Sequence, residues 1–273
     1  MPYFEGARGR LHYRRWPVEH PVAVLALLPG TGQHSGHYHR FARAVQPSGI
    51  ELWALDTSGH GLSEGNPEQP GALSELSADA RAFLEQARAH APGAPVLMGH
   101  SLGAATALAV LASERRPPCS ALILCGTPKA VLEGRPPSSA RGAEPNRTRA
   151  AGGSAGSSEP VGGSARSVAA ASASGSARSV AAASASGSAR SVAAASAYGG
   201  GDAVSGPALP PGLPVLIVHG VDDRRAPVDP VREWAGAHGA EFRAYADAGH
   251  DLLHEPVHAQ VSADIADWVL ARG

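Results

Sequence analysis

The chain has 273 residues, 43% of them hydrophobic, enough to bury the core of one large α/β domain or two small ones. Its 23 Lys and Arg residues nearly balance 24 Asp and Glu residues, which gives no case for a general nucleic-acid or anionic-membrane binder. The only cysteines, Cys119 and Cys125, exclude a disulfide scaffold and are too few for a cysteine zinc site. Without an apolar leader or a span-length apolar stretch, the sequence predicts a soluble, cytoplasmic protein.

Short apolar runs alternate with stretches of helical periodicity along most of the chain. The runs predict strands and the periodic stretches predict helices. Because the strands are apolar throughout, the pattern is typical of a mostly parallel sheet with helices on both faces. The predicted strands are residues 22–28, 51–55, 95–98, 121–124, 215–218 and 242–245, and the predicted helices are residues 73–90, 102–112, 228–238 and 256–270.

One segment, residues 129–205, does not fit a globular core. It is rich in Ala, Ser, Gly and Arg, and the 12-residue unit GSARSVAAASAS recurs within it from Gly163, Gly175 and Gly187, with Tyr198 ending the third copy. Each copy offers a single Val as its large apolar side chain, which cannot offset the entropy of ordering the unit, so we expect disorder. Residues 1–128 and 206–273 are therefore predicted to form one discontinuous domain interrupted by this insert.

A G-x-S-x-G motif lies between a predicted strand and a predicted helix. It consists of Gly99, His100, Ser101, Leu102 and Gly103. In this context the serine occupies a sharp turn that lifts its hydroxyl above the sheet, and small residues two positions away on either side let the backbone pass closely. The motif therefore predicts Ser101 as a nucleophile, with Gly99 and Gly103 forming the elbow.

A serine nucleophile needs a histidine base and a carboxylate that orients it, in the chain order Ser, acid, His. Asp222 and Asp223 follow the predicted strand 215–218, and we prefer Asp223 because it clears the strand end. His250 follows the predicted strand 242–245 and is the preferred base. Three other downstream histidines are interpreted as solvated helix or surface residues; they are His238, His254 and His258.

The motifs together resemble the α/β-hydrolase superfamily, and more closely its monoacylglycerol lipases and lysophospholipase-like serine hydrolases. That subgroup has a stretch of the form HGxGEHSGRY and a segment of the form D-x-x-G-H-G-x-S, which correspond to residues 29–38 and 56–65 here. With GHSLG, HGVDD and AGHDLLHE, the likeness covers both flanks of the insert and none of the insert itself.

The resemblance implies an α/β-hydrolase fold and a serine hydrolase that cleaves carboxylic esters through an acyl-enzyme intermediate. It implies Ser101 as nucleophile, Asp223 as acid, His250 as base, and an oxyanion hole formed by the backbone N–H groups of Thr31 and Leu102. No cofactor and no metal ion are expected. The expected partner is a small ester, such as a monoacylglycerol, a lysophospholipid or a shorter ester, with peripheral lipid contact left open.

The chain departs from the subgroup in two places. Pro29 replaces the subgroup's histidine, and the insert occupies the position of the helical cap that usually lines the acyl pocket. An open pocket holds a long acyl chain poorly, which favours small or short-chain esters.

Several alternative interpretations stay open at this point. A perhydrolase, a thioesterase or a carbon–carbon hydrolase uses the same three side chains, and a non-catalytic scaffold could retain them. His34, His37 and His39 have metal-ligand spacing, but the register of the resemblance already accounts for His34. Asp56 and His60 are expected to shape a loop beside the site rather than to take part in catalysis.

Overall fold

The computed structural model describes residues 2–112, 116–135 and 207–272. These residues form a single eight-stranded sheet in the order β1-β2-β4-β3-β5-β6-β7-β8. β1 and β2 pair antiparallel, β2 pairs antiparallel with β4, and all later neighbours are parallel. The strands are β1 (Tyr3–Gly6), β2 (Gly9–Trp16), β3 (Ala23–Leu28), β4 (Ile50–Leu55), β5 (Val96–His100), β6 (Ala121–Cys125), β7 (Val215–Gly220) and β8 (Glu241–Tyr245).

Helices cover both faces of the sheet, so each face has its own apolar core. α1 and α6 pack together over one face, whereas α2, α3 and α5 cover the other. The predicted mostly parallel α/β architecture is therefore confirmed. The helices are α1 (His39–Val45), α2 (Leu73–Arg88), α3 (Leu102–Ala112), α4 (Lys129–Leu132), α5 (Val228–Ala237) and α6 (His258–Leu270).

Every predicted strand and helix is present within a few residues of its expected ends. Three further elements were not predicted: β1 and β2 precede the first predicted strand, and α1 precedes the second. β1 alternates between exposed and half-buried residues, and β2 carries several charged side chains, so neither forms an apolar run. α1 has seven residues, three of them His or Arg, which is too short for a clear helical pattern.

Most of the predicted insert, residues 136–205, lies outside the described residues. Its first residues form the short helix α4, in which Val131 and Leu132 are buried against the core. β6 precedes this segment and β7 follows it, and the two strands are direct neighbours in the sheet. The chain therefore leaves and re-enters the sheet at adjacent positions.

Candidate active site

Ser101 occupies the turn between β5 and α3 with a positive φ of 52°. Residues other than glycine rarely adopt this backbone conformation. Its backbone N–H donates to the carbonyl oxygen of Cys125 at 3.1 Å, which ties the turn to β6. A Cβ at Gly99 would overlap the carbonyl of Gly103, and a Cβ at Gly103 would overlap that of Leu28. Both positions therefore require glycine, and the turn presents the Ser101 side chain at the carboxyl edge of the sheet.

His250 and Asp223 form a buried pair at the same edge. His250 Nδ1 lies 2.7 Å from Asp223 Oδ2, and the other carboxylate oxygen accepts hydrogen bonds from the backbone N–H groups of Arg225 and Ala226. Burial works to raise the pKa of Asp223, but the hydrogen bond and charge of His250, with these two N–H groups, hold it below its ordinary value. Asp223 is thus kept as a carboxylate.

The second ring nitrogen of His250 is available for chemistry. Nε2 is buried and makes no hydrogen bond within the part of the chain that the structure describes. A neutral imidazole with its Nδ1 proton donated to a carboxylate presents a lone pair at Nε2. The ring can therefore accept a proton from a nucleophile at this edge.

The loop that follows β3 passes directly over the Ser101 turn. A Cβ at Gly30 would lie 3.2 Å from Ser101 Cβ and 2.8 Å from His100 Nδ1. The backbone N–H of Gly32 donates to His60 Nε2 at 3.2 Å, while His60 Nδ1 donates to the carbonyl oxygen of Ser58. His60 therefore holds the loop segment that carries Thr31, one of the two predicted oxyanion-hole donors. The other predicted donor, Leu102, is the first residue of α3.

A network below the site joins this loop to the histidine loop, and the sequence patterns did not predict it. The Gln33 amide donates to Asp251 Oδ1 at 2.9 Å, and its oxygen lies 3.0 Å from His100 Nδ1. His100 Nε2 lies 3.0 Å from the carbonyl oxygen of His250. Burial lowers the pKa of His100 to about 4, so the neutral ring carries one N–H and donates to one of these two oxygens at a time.

The remaining sequence candidates lie apart from this pair. The Asp222 side chain is exposed, and His238 and His258 each contact a carbonyl oxygen of their own helix region. His254 is exposed beside Tyr38. Among the described residues, no group of three or more His, Cys, Asp or Glu side chains is arranged to hold a metal ion.

Comparison with known protein families identifies the architecture. The family model described as serine aminopeptidase, S33, matches residues 19–257. The chain belongs to this α/β-hydrolase family. The match spans residues on both sides of the segment 136–206, so it covers Ser101, Asp223 and His250 alike.

Curated relatives of this S33 hydrolase include monoglyceride lipases. The chain is 33% identical to human monoglyceride lipase over 120 residues, which are 43% of this chain and 39% of that protein. It is 36% identical to a monoacylglycerol lipase of Mycolicibacterium smegmatis over 103 residues, 37% of each chain. The matched part thus spans about two fifths of the length of these relatives.

Solved structures support the fold of this S33 hydrolase over nearly its whole length. A thermostable carboxyl esterase from Bacillus coagulans superposes with a TM-score of 0.64 at 14% identity, covering 99% of this chain and 97% of the esterase. A monoacylglycerol lipase from Paleococcus ferrophilus superposes with a TM-score of 0.59 at 14% identity, covering 96% and 99%. Among the described residues of our chain, none belongs to a helix long and apolar enough to cross a membrane.

Proposed function

We propose that this S33 hydrolase cleaves carboxylic esters through an acyl-enzyme formed on Ser101. The observation that carries the proposal is the His250–Asp223 pair, whose Nε2 has no hydrogen-bond partner among the described residues, together with the strained turn of Ser101. The monoglyceride lipases among the relatives support an ester as the substrate. A monoacylglycerol-like or shorter ester is the expected class.

In the first half-reaction, Ser101 Oγ attacks the ester carbonyl carbon while its proton moves to His250 Nε2. The resulting oxyanion is stabilised by the backbone N–H groups of Thr31 and Leu102, each worth about 10²–10³ in rate when such a donor is preorganised. The C–O bond to the alcohol then breaks, and His250 returns the proton to the leaving alkoxide. The products are a free alcohol and an acyl-Ser101 ester.

In the second half-reaction, water replaces the alcohol. His250 Nε2 takes a proton from the water as its oxygen attacks the acyl carbon, and the same N–H groups stabilise the second oxyanion. Collapse breaks the bond to Ser101 Oγ, which recovers its proton from His250. Asp223 stays ionised throughout and stabilises the imidazolium that forms twice in each cycle.

A fluorophosphonate probe tests the proposal directly. We expect stoichiometric labelling of the full chain at Ser101 and turnover of p-nitrophenyl acetate, both lost in Ser101→Ala. Ser120→Ala is the matched control because Ser120 is exposed and lies beside the amino end of β6, remote from the turn. A folded protein that neither reacts with the probe nor hydrolyses the ester would instead indicate a non-catalytic scaffold.

Substrate class is resolved by a matched panel. Esters from acetate to palmitate, the corresponding thioesters and amino-acid anilides separate ester cleavage from thioester and aminopeptidase activity. We expect the esters to give the highest kcat/KM. A preference for anilides would overturn ester hydrolysis while leaving the Ser101 mechanism in place.

A further inference from the structure

Basic side chains cluster on the outer surface of α1 and the adjoining loops. We name this surface the basic rim. Its members are exposed, except for the half-buried Arg14. They are Arg14, His37, His39, Arg40, Arg43 and His254.

The arginines of the basic rim have no acidic partner among the described residues. Neither Arg14, Arg40 nor Arg43 has a carboxylate oxygen within 4.0 Å in the described ranges, whereas Arg10, Arg15, Arg232 and Arg243 elsewhere all do. Arg14 donates only to the Ser35 hydroxyl, at 3.4 Å, and lies over the Trp16 ring. The rim thus carries uncompensated positive charge.

Two histidines of the rim, His39 and His254, have a pKa that nearby positive groups help to lower. Burial and then the guanidinium groups of Arg14 and Arg43 lower the pKa of His39. Burial also lowers the pKa of His254; there Asp251 and Glu255 act in the opposite direction, while His37 and Arg40 add to the lowering. These couplings place Arg14 and Arg43 near His39, and His37 and Arg40 near His254.

The acidic groups nearest to the rim accept hydrogen bonds from neutral donors elsewhere. Asp56 accepts from the backbone N–H groups of Ser35 and Leu62. Glu255 accepts from those of Gly249 and Asp251, and the Asp251 carboxylate accepts from Gln33. Within the described ranges, none of these carboxylates forms an ion pair with an arginine of the rim.

The rim adjoins the two loops that carry Gly30–Gly32 and His250. His37 belongs to the turn that continues the Gly30–Gly32 loop, and its ring lies 6.3 Å from that of His254, four residues after His250. α1 buries Phe41, Ala42 and Val45 toward the sheet, so its basic residues face away from the core. An anionic surface bound at the rim would reach the edge where Ser101 is presented.

We propose that the basic rim docks the protein on a lipid surface that carries anionic headgroups. The net charge of −1 averages over the chain and conceals this local concentration of arginine. A basic side chain close to an anionic leaflet gains binding energy that decays over about a Debye length, so the effect depends on clustering and not on net charge.

Two non-charged features favour a lipid surface over a soluble polyanion. Trp16, of a residue type enriched at membrane interfaces, lies within the rim and donates its indole N–H to His39 at 3.0 Å. Leu62 is 45% exposed. Its backbone N–H donates to the Asp56 carboxylate, which also accepts from the N–H of Ser35, the hydroxyl-bearing neighbour of Arg14 in the rim. Apolar groups beside basic ones suit a surface with both headgroups and acyl chains.

Vesicle co-sedimentation of the full chain carrying Ser101→Ala tests the docking without lipid turnover. We expect binding to vesicles of phosphatidylcholine with phosphatidylserine, weak binding to phosphatidylcholine alone, and loss of binding at high salt. Adding Arg40→Gln and Arg43→Gln should weaken binding about 25-fold, since each basic side chain near such a surface contributes about fivefold. Arg88→Gln with Arg116→Gln, which removes the same charge from exposed sites elsewhere, is the matched control.

Three results would overturn the proposal. They are equal binding to both vesicle types, unchanged binding of the Arg40/Arg43 variant, or an equal loss in the Arg88/Arg116 control. A short oligodeoxynucleotide that binds the rim more tightly than the vesicles do would replace the lipid surface by a nucleic acid. Because binding is measured on an inactive variant, its failure is separate from any failure of the proposed ester hydrolysis.

Discussion

Two buried aspartate–histidine pairs in this molecule have nearly the same geometry. His12 Nδ1 lies 2.8 Å from Asp56 Oδ2, and His250 Nδ1 lies 2.7 Å from Asp223 Oδ2. Both carboxylates also accept two backbone N–H groups, and both have a pKa below the ordinary value. Only the second pair adjoins a serine held in a strained turn, so the pair alone does not define a catalytic site.

The two pairs differ in what they hold in place. Asp56 ties β2 to two loops through His12, Ser35 and Leu62, so its hydrogen bonds connect separate parts of the chain. Asp223 binds N–H groups only two and three residues further along and orients the one ring that can accept a proton. We therefore expect Asp56 to govern stability and Asp223 to govern turnover.

Replacing the acid of the candidate site gives the largest expected effect. Asp223→Asn should lower kcat for p-nitrophenyl acetate by about 10⁴-fold, because the amide favours the wrong tautomer of His250 and cannot stabilise its charge. Asp222→Asn, one residue away and exposed, is the matched control and should stay near wild type. Equal losses in the two variants would contradict the assignment of Asp223.

The corresponding change in the other pair should act on folding instead. Asp56→Asn leaves His12 without its carboxylate in a buried site, a change that typically costs about 3 kcal/mol in the free energy of unfolding. Urea denaturation measures this loss, and fluorophosphonate titration normalises kcat to the folded fraction. If the normalised kcat of Asp56→Asn falls as far as that of Asp223→Asn, the assignment of Asp56 to stability and Asp223 to turnover is wrong.

The pH dependence of stability sharpens the comparison. Burial opposes ionisation of Asp56, but hydrogen bonds from Leu62, Ser35 and His12 lower its pKa below that of the unfolded chain. Its contribution is therefore present above pH ~4 and is lost as the pH falls through the lower folded-state pKa. The urea midpoint should begin to fall below about pH 6.5, because His100 must gain a proton on unfolding, and should fall further below about pH 4; only this lower limb should flatten in Asp56→Asn.

A third buried carboxylate provides the opposite case. Asp79 accepts from the backbone N–H of Ala7 through Oδ1, but Oδ2 has no partner among the described residues, and burial raises its pKa. Ionised Asp79 thus opposes folding at neutral pH, and stability gains as the pH falls toward the unfolded-state value. Asp79→Asn keeps an acceptor for Ala7 and should raise stability by about 1 kcal/mol at pH 7, measured by urea denaturation. A destabilised variant would show that the charge is compensated.

Removing the segment between β6 and β7 should have the smallest effect on the chemistry. Deletion of residues 135–200 leaves in place the turn after β5 and the loops after β7 and β8, which carry Ser101, Asp223 and His250, so turnover of p-nitrophenyl acetate should be nearly unchanged. Long-chain esters in the same assay report whether the segment contributes to acyl binding. Loss of acetate turnover in a variant with an unchanged circular-dichroism melt would show that residues 135–200 complete the site.

The apolar strands and the elbow could be predicted because their signals are local. β3 to β7 are short, largely apolar runs, and Gly99, Ser101 and Gly103 lie within five consecutive residues. The pairing of His12 with Asp56 could not be predicted, because it depends on the register that places Tyr13 opposite Leu55 across two antiparallel strands. β2 itself gave no signal, since His12, Arg14 and Arg15 interrupt its apolar pattern.

The same reason explains which part of the site could not be predicted. Ser101, Asp223 and His250 were chosen from motif order, a one-dimensional property. Gln33 and His100 meet only because the loop after β3 crosses the elbow, and no spacing in the chain encodes that crossing. Gln33 and Asp251 are 218 positions apart.

Because β6 and β7 are neighbours in the sheet, another domain can be inserted between them without separating the strands. The parallel ladder from Leu122–Val215 to Cys125–Val218 fixes both ends of the intervening chain. Loop-closure entropy grows only with the logarithm of length, so substituting a ligand-binding module there would cost the scaffold little. The inserted module would follow Gly126, whose backbone lies against His250. A displacement of Gly126 by the module would therefore also displace His250.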